Sequence, residues 1–340
     1  MDTYKKIIIF KLSLTNKSGL GHFFRCYRLS EKFSKNSKIF FIVDYLPEQI
    51  RSSELFNKIN FIELYQNEKF KSQLLDYKKF EYYTKKKKID LLFIDDYRLN
   101  HIWHKKLKKN IKKTVAIDDL ANRKFHCDIY INYKHGLENQ KKTIAKLNKK
   151  NTKLLLGSKY SIISSNLNIK KSHKKRKNII ISFGNGFNFK KLKFFINKIK
   201  NLKHNIYISI GILSKNYQYI VKISKKFSNI KPICFSLKMD KLISKMDFYI
   251  GSSGNSLYEN SHIKLPSVFF KISKNQINNQ ENLDELGHYF FLEGKYIKKL
   301  KTIKLINFIL KNYQILKKNA LNINIINKKG ALLIFKEIKF

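Results

Sequence analysis

The residues best suited to chemistry stand in a glycine-rich segment near the start of the chain. It reads Ser18-Gly19-Leu20-Gly21-His22-Phe23-Phe24-Arg25-Cys26 and lies between a predicted strand and a predicted helix. Glycines let the backbone turn tightly and approach a ligand, and the start of a helix favours anions. His22 falls in the first helical turn, where an imidazole can take a proton from water at neutral pH. A helix-capping or surface histidine explains the same pattern, so the residues alone leave both interpretations open.

The same segment does not predict a dinucleotide-binding loop. That fingerprint needs a third glycine at the position where this chain has Phe24. Arg25 follows His22 by one helical turn and belongs to the same candidate site.

Acidic pairs follow two of the predicted strands in the first half of the chain. One is Asp95-Asp96, followed by Tyr97, and the other is Asp118-Asp119. Carboxylates at the carboxyl ends of neighbouring strands can bind sugar hydroxyls, assist a base or cap the next helix. No His or Cys accompanies them at metal-ligand spacing, so we expect no metal and no cofactor.

Glycine and serine loops follow strands in the second half. The segments are 182–186 and 250–259, and each leads into a predicted helix. Backbone N–H groups and hydroxyls in such loops suit a diphosphate, and the carboxylate of Glu259 suits ribose hydroxyls. The amides of Asn275 and Gln276 suit a ligand rich in hydroxyl groups.

The elements that carry these loops alternate between strand-like and helical patterns, which predicts α/β units with parallel strands. Helices are predicted at 23–33 and 101–112. The predicted strands are 6–12, 38–43, 89–94, 114–117, 128–132, 153–156, 178–183, 205–210, 230–235, 248–250, 267–271 and 289–292.

The basic stretch 169–177 interrupts this rhythm and is the best linker candidate. We therefore predict an N-terminal domain over 1–168 and a C-terminal domain over 178–340. The last helix is a candidate to pack back on the first domain. The two would be facing doubly wound domains with a ligand in the cleft between them, beyond the carboxyl ends of the strands.

Composition excludes few functions. A chain of 340 residues with 43% hydrophobic content suits two packed domains. The formal charge of +47 raises nucleic acid as a partner, but the lysines are spread along the chain, as an AT-rich coding sequence would produce. We expect no nucleic-acid partner. The separated Cys26, Cys127 and Cys234 predict free thiols, and the absence of a long apolar run predicts a cytoplasmic protein without membrane insertion.

The first loop resembles the GxGHxxRC signature of the UDP-2,4-diacetamido-2,4,6-trideoxy-β-L-altropyranose hydrolases, the UDP-releasing enzymes of pseudaminic acid biosynthesis. Order and spacing agree from about Gly19 to Gly287. The matching segments are 19–26, 95–97, 117–123, 127–128, 155–160, 182–184, 254–259, 265–267 and 275–276. Related glycosyltransferases share the second-half pattern, so the first loop and the double-Asp loop are the more specific signals.

This resemblance implies a GT-B fold, related to the N-acetylglucosaminyltransferase that makes lipid II, and hydrolysis at the anomeric carbon with inversion. His22 matches the catalytic histidine. Substrate binding is implied for Gly21, Arg25, Tyr97, Asp118, Asn275 and Gln276. UDP binding is implied for Gly184, Gly251, Ser253, Gly254, Asn255, Ser256 and Glu259.

Two departures from the family pattern leave the substituents of the sugar open. The family often has Ser-Phe-Gly-Gly-x-Asp where this chain has Ser182-Phe183-Gly184-Asn185-Gly186, and Gly-Gly-Ser where it has Gly254-Asn255-Ser256. The alternative is a GT-B glycosyltransferase that passes the sugar to an acceptor instead of water. The sequence does not indicate an oligomeric state.

Overall fold

Apolar runs and amphipathic segments alternate along the chain and form two parallel β-sheets. The computed structural model describes residues 5–14, 20–65, 70–169, 177–184, 189–211, 217–234, 239–271, 284–286, 289–293 and 300–338. The chain divides into two compact units, Met1–Ile163 together with Lys329–Phe340, and Ser164–Lys328.

The first unit carries a seven-stranded sheet, counted over the described residues, with strand order β3-β2-β1-β4-β5-β6-β7. All of its pairings are parallel. Its strands are β1 Lys6–Leu12, β2 Ser37–Val43, β3 Phe61–Glu63, β4 Leu91–Asp95, β5 Thr114–Ile117, β6 Ile129–Asn132 and β7 Lys153–Leu156. Its helices before the crossover are α1 Gly21–Ser30, α2 Glu48–Arg51, α3 Gln73–Thr84, α4 His101–His104 and α5 Lys141–Lys146.

Aromatic and branched side chains fill this sheet because strands of a parallel sheet are buried on both faces. Phe10 of β1 stacks on Phe93 of β4, with ring centroids 4.5 Å apart, and on Phe41 of β2 at 5.2 Å. On the same strands Ile9 packs in a cluster with Trp103. The central strands β1 and β4 are thus packed on both faces.

The second unit repeats the design with a six-stranded parallel sheet in its described part, of order β10-β9-β8-β11-β12-β13. Its strands are β8 Asn178–Ser182, β9 Asn205–Ile210, β10 Ile230–Cys234, β11 Phe248–Ser252, β12 Ser267–Lys271 and β13 Tyr289–Glu293. Its helices are α6 Phe189–Ile199, α7 Tyr217–Lys226, α8 Met239–Ile243, α9 Ser256–His262, α10 Leu300–Lys311 and α11 Tyr313–Leu321. Helices α6, α7 and α10 add buried side chains to one core with the strands.

The last helix, α12 Gly330–Ile338, belongs to the first unit. Gly330 packs closely against Ser161, the residue that follows the 3₁₀ turn Ser158–Tyr160. A Cβ added at Gly330 would lie 2.1 Å from the carbonyl oxygen of Ser161. Phe335 packs against Phe33 with ring centroids 4.9 Å apart. The chain end is therefore part of the core of the first unit.

The boundary between the units falls at Ile163, ahead of the predicted 168. The reason is visible in two hydrogen bonds within the second unit. The Ser164 hydroxyl donates to Asp240, and the Asn168 N–H donates to the Ser244 hydroxyl at 3.0 Å. Most of the predicted linker, residues 170–176, lies outside the described residues.

The α/β fold with two doubly wound sheets is confirmed, and most predicted strands agree within two residues. Strand β3 was not predicted because three residues at a sheet edge carry no clear alternation. The helix predicted at 101–112 ends at His104. Beyond it the Asn110 amide donates to the carbonyls of Thr84 and Lys87, and Ile111 forms a bridge with Ile89, so the chain leaves the helical path.

A buried charge array lies in the first unit. The Lys11 ammonium, on β1 and fully buried, is 3.2 Å from Asp76 and 3.6 Å from Asp96. Arg98 binds Asp96 through two side-chain N–H groups and also pairs with Asp44 at 2.8 Å. Burial would raise the pKa of Asp96, but hydrogen bonds from Arg98 and the charge of Lys11 outweigh it and lower that pKa to about 2.

We predict that the first unit loses stability as the pH falls from about 4, the ordinary range of Asp, toward 2. The folded state favours ionised Asp96, so its contribution, about 2–3 kcal/mol, is present above that window and lost as the carboxylate is protonated. The measurement is urea unfolding at a series of pH values, followed by fluorescence of Trp103. This is the sole tryptophan, it lies in this unit, and its indole N–H donates to Asp76.

Asp96→Asn is the control for that series. It should be less stable than the wild type near neutral pH and should show a shallower loss of stability in the acid window. Parallel pH profiles for the two proteins would contradict the assignment.

Candidate functional site

The candidate site lies where the strand order of the first sheet reverses. Strands β1 and β4 are neighbours there, with Leu12 opposite Asp95, and their chain connections run to opposite sides. In parallel sheets ligands bind at the carboxyl edge of such a switch point. Gly21 opens α1 after β1, which places His22 in its first turn, and Asp95 is the last residue of β4. Ser18 and Gly19 lie outside the described residues.

A short hydrogen bond joins His22 to Asp95. The Nδ1 of His22 lies 2.6 Å from Oδ1 of Asp95, and both side chains are buried. Burial alone would raise the pKa of Asp95, but the charges of Arg25 and His22 outweigh it and hold that pKa well below its usual range. The ionised carboxylate can only accept, so Nδ1 carries a proton, and whenever the ring is neutral the lone pair is on Nε2. Nε2 of the neutral ring can then accept a proton.

Arg25 connects this pair to a second carboxylate. Its Nε donates to Asp95 at 2.5 Å, and its Nη1 donates to both oxygens of Asp119, at 2.7 and 2.6 Å. The Nη1 also donates to the Tyr133 hydroxyl at 3.2 Å. Burial would lower the pKa of Arg25, but Asp119 and Asp95 outweigh it and raise that pKa. Arg25 is therefore a fixed cation that holds two carboxylates in place.

The Nη2 of Arg25 also lies 3.2 Å from Nδ1 of His22. A protonated Nδ1 cannot accept from Arg25 while it donates to Asp95. The 2.6 Å contact with an ionised carboxylate is the shorter and charge-assisted one, so it decides the tautomer.

The Cys26 thiol donates to the other oxygen of Asp95 at 3.4 Å. Burial and, after it, the charge of Asp95 raise the pKa of that thiol.

Tyr97 forms a wall of the site beside His22. The two rings meet edge to face with centroids 4.5 Å apart, and the Tyr97 hydroxyl donates to Asp119. Burial and the charge of Asp119 raise the pKa of Tyr97 well above its ordinary value, so the phenol stays neutral. The hydroxyl is positioned on the same carboxylate that Arg25 holds.

Of the double-Asp motif, the structure brings Asp119 into this network and not Asp118, which was predicted to bind substrate. Asp118 is fully buried, accepts from the Ala121 N–H at 2.6 Å and the Tyr130 hydroxyl at 2.8 Å, and pairs with Arg123 at 2.8 Å. These contacts hold the loop after β5. The sequence shows two adjacent carboxylates, and only the folded turn decides which of them binds Arg25 and Tyr97.

The second unit carries its predicted loop at the equivalent switch point, between β8 and β11. Gly251 faces the backbone of β8, where a Cβ would lie 1.9 Å from the carbonyl oxygen of Ser182. The Tyr249 hydroxyl lies 3.0 Å from the same carbonyl and 3.1 Å from the Ser256 hydroxyl, which donates to Ser252. Gly251 and the Ser256 side chain therefore shape the loop from within.

Other residues of this loop are better placed for a ligand. The Ser253 hydroxyl is buried and has no hydrogen-bond partner in the described part of the chain. A Cβ added at Gly254 would meet no described atom within 4 Å, so this stretch of backbone is open to close approach. Asn255 directly precedes α9. Glu259 lies on that helix and is buried, with 6% of its surface exposed.

Gly184, which ends the segment after β8, has a φ of 71° and lies at the surface. Asn275 and Gln276, predicted to bind substrate, lie outside the described residues. Among the helices that are described, none has the length and hydropathy required to cross a bilayer.

Comparison with solved structures identifies the fold as GT-B. MurG from Acinetobacter baumannii superposes with a TM-score of 0.62 and 14% identity, covering 98% of this chain and 99% of that one. UDP-GlcNAc 2-epimerase from Neisseria meningitidis, bound to UDP-GlcNAc, superposes with a TM-score of 0.58 and 11% identity, covering 98% of this chain and 99% of that one. MnaA from S. aureus, in a co-structure with UDP, superposes with a TM-score of 0.59 and 10% identity, covering 98% of this chain and 96% of that one.

At such identities the similarity establishes the fold alone. No protein-family model matches the sequence, and no curated protein matches it significantly.

We predict that neutral His22 is protonated at Nδ1, because Asp95 accepts from that nitrogen. Long-range proton–nitrogen NMR of histidine-labelled protein at mildly alkaline pH should show an unprotonated Nε2 for this residue. In Asp95→Asn the signal should move toward the opposite tautomer, since an amide no longer enforces a donor.

Asp90→Asn is the matched control. Asp90 is also buried, but it binds the Ile7 N–H at 2.9 Å and Lys112 at 2.7 Å, away from the histidine. Its substitution should leave the His22 signal unchanged. A protonated Nε2 in the wild type would contradict the assignment.

Proposed function

We propose that this protein hydrolyses UDP-2,4-diacetamido-2,4,6-trideoxy-β-L-altropyranose to UDP and the free sugar. The observation that carries the proposal is the buried His22–Asp95 pair, which stands in the loop that resembles the signature of these hydrolases. The GT-B fold supports it, because solved proteins of this fold include one bound to UDP-GlcNAc and one bound to UDP.

In the proposed reaction His22 acts as the general base. Its Nε2 takes a proton from water as the water oxygen attacks C1 of the sugar, on the face opposite UDP. The bond between C1 and the bridging phosphate oxygen breaks, its electron pair leaves with UDP, and the anomeric configuration inverts. Asp95 stabilises the imidazolium that forms, since it is ionised and 2.6 Å from Nδ1.

Arg25 and Asp119 serve this reaction as positioning residues. Arg25 is buried and holds both carboxylates, and Asp119 in turn orients the Tyr97 hydroxyl beside His22. A base and a neutral phenol held within one network can fix a water and a sugar hydroxyl without reorganising during the step. We assign no metal to this mechanism, because UDP leaves as a stable anion once its charge is met by N–H groups and cations.

We assign UDP binding to the second unit. By the resemblance, the loop Gly251–Ser256 lies at the diphosphate and Glu259 at the ribose. The open backbone at Gly254 and the unpartnered hydroxyl of Ser253, among described residues, support a ligand at this loop. The free sugar would serve pseudaminic acid synthesis in the cytoplasm, for flagellin or cell-surface glycans.

A glycosyltransferase is the second candidate, since MurG shares the fold over 98% of this chain. It would release UDP slowly until an acceptor is supplied. An epimerase, as in the neighbours of that name, would convert UDP-GlcNAc without releasing UDP as the end product. One assay separates the three.

We predict rapid UDP release from the diacetamido-trideoxy-altrose nucleotide and none from UDP-GlcNAc, in the presence of EDTA. His22→Ala should lower kcat about 10²–10⁴-fold, because the general base is lost, and should leave UDP affinity unchanged. Coupled UDP detection gives the rate, and NMR of the first turnover gives the anomer released.

His126→Ala is the control for removal of a histidine from the same unit, and it should keep wild-type turnover. If the protein binds UDP but releases none from either nucleotide sugar, the result would favour a transferase. Near-normal turnover by His22→Ala would remove the catalytic assignment of that residue.

We predict that Glu259→Gln weakens the binding of both UDP and uridine about tenfold, because the carboxylate accepts from ribose hydroxyls present in both. Isothermal titration calorimetry provides the two dissociation constants. Equal affinities for wild type and variant would contradict the ribose assignment and leave the His22 chemistry untouched.

A further inference from the structure

Lys134 presents a buried cation beside the His22 network. It follows β6 by two residues and is preceded by Tyr133, whose hydroxyl accepts from Arg25 at 3.2 Å. The Nζ of Lys134 is buried and makes no hydrogen bond with any described residue. Its electrostatic neighbours are Asp119 and Asp118, which follow β5, and Arg25 of α1.

The carboxylates near Lys134 are already engaged. Asp119 accepts two hydrogen bonds from Arg25 and one from the Tyr97 hydroxyl. Asp118 is bound by Arg123 and by the Tyr130 hydroxyl. Neither hydrogen-bonds the ammonium, so Lys134 has three N–H donors and no acceptor from the described residues.

Such an arrangement is costly for folding. A buried ammonium without an acceptor loses its hydration and gains little in return. Burial lowers the pKa of Lys134, while Asp119 and Asp118 act in the opposite direction. An unsatisfied buried group in a native protein calls for an explanation, and a ligand that supplies the missing partner is one such explanation.

We propose that the ammonium of Lys134 binds the β-phosphate of the nucleotide substrate. This inference rests on the proposed function. The β-phosphate is the one bonded to the C1 oxygen, so it is the phosphate nearest to the groups that act on C1. A compact ammonium with three donors suits phosphate oxygens.

The same contact would assist the reaction. As the bond between C1 and the bridging oxygen breaks, its electron pair adds negative charge to the β-phosphate. A cation fixed in a buried site stabilises that charge more than an exposed one does. No proton has to be donated to the leaving group in this step.

Calorimetry with three ligands tests the proposal. Lys134→Gln should weaken UDP binding about tenfold or more, and should leave the binding of UMP and uridine unchanged, because these lack the β-phosphate. Lys142→Gln removes the same charge from an exposed position on α5 and should not alter any of the three affinities. Lys134→Arg should recover part of the UDP affinity.

A purely structural role predicts a different result. If Lys134 stabilised the fold, Lys134→Gln would lower the Tm followed by Trp103 fluorescence, whereas an unpaired buried cation predicts an equal or higher Tm. A loss specific to UDP with an unchanged or higher Tm supports the proposal. Equal UDP affinity in wild type and Lys134→Gln overturns it and leaves the proposed function standing, while absence of UDP binding in the wild type overturns the proposed function itself.

Discussion

The site depends on one buried carboxylate, Asp95, which stays ionised inside the first unit. A carboxylate without compensation would be protonated there, because burial disfavours its charge. Arg25, His22 and Cys26 all direct donors at it. That set of contacts fixes the histidine tautomer, anchors the arginine and so places the second carboxylate. Without the charge of Asp95, the donors of His22, Arg25 and Cys26 would lose the acceptor that orients them.

The parallel sheet makes this concentration of charge feasible. Neighbouring strands β1 and β4 end at the same edge, so the loop after one meets the acidic end of the other. Below the edge, a second array runs from Asp44 through Arg98 and Asp96 to Lys11. Asp44 also accepts from the Leu14 N–H at 2.8 Å, which fixes the exit of β1 toward the loop that carries His22. Asp95 belongs to the first array and Asp96 to the second, so the two arrays meet at adjacent residues of the chain.

The same fold supports different chemistries in the proteins to which this one is similar, among them a UDP-GlcNAc 2-epimerase and glycosyltransferases. Fold alone therefore does not select a reaction, and the distinction has to come from side chains at the carboxyl edges. In this protein the carboxyl edge of the first sheet carries a histidine that is hydrogen-bonded to an ionised carboxylate. Among the described residues the buried ammonium of Lys134 has no hydrogen-bond partner, which is the basis for our proposal that it binds a negatively charged group of the ligand.

The sequence by itself determined the α/β class, nearly all strands and the loops that carry His22, Asp95 and Tyr97, because alternation of apolar runs and the position of glycines are local signals. It also singled out Arg25, though as a substrate ligand and not as the bridge between two carboxylates. Only the tertiary structure decided that Asp119 and not Asp118 meets Arg25, since two adjacent residues in a turn point in different directions and that choice depends on packing with Tyr130 and Arg123. Lys134 carried no sequence signal among 71 basic residues, because its burial and missing partner exist only once the strands are assembled.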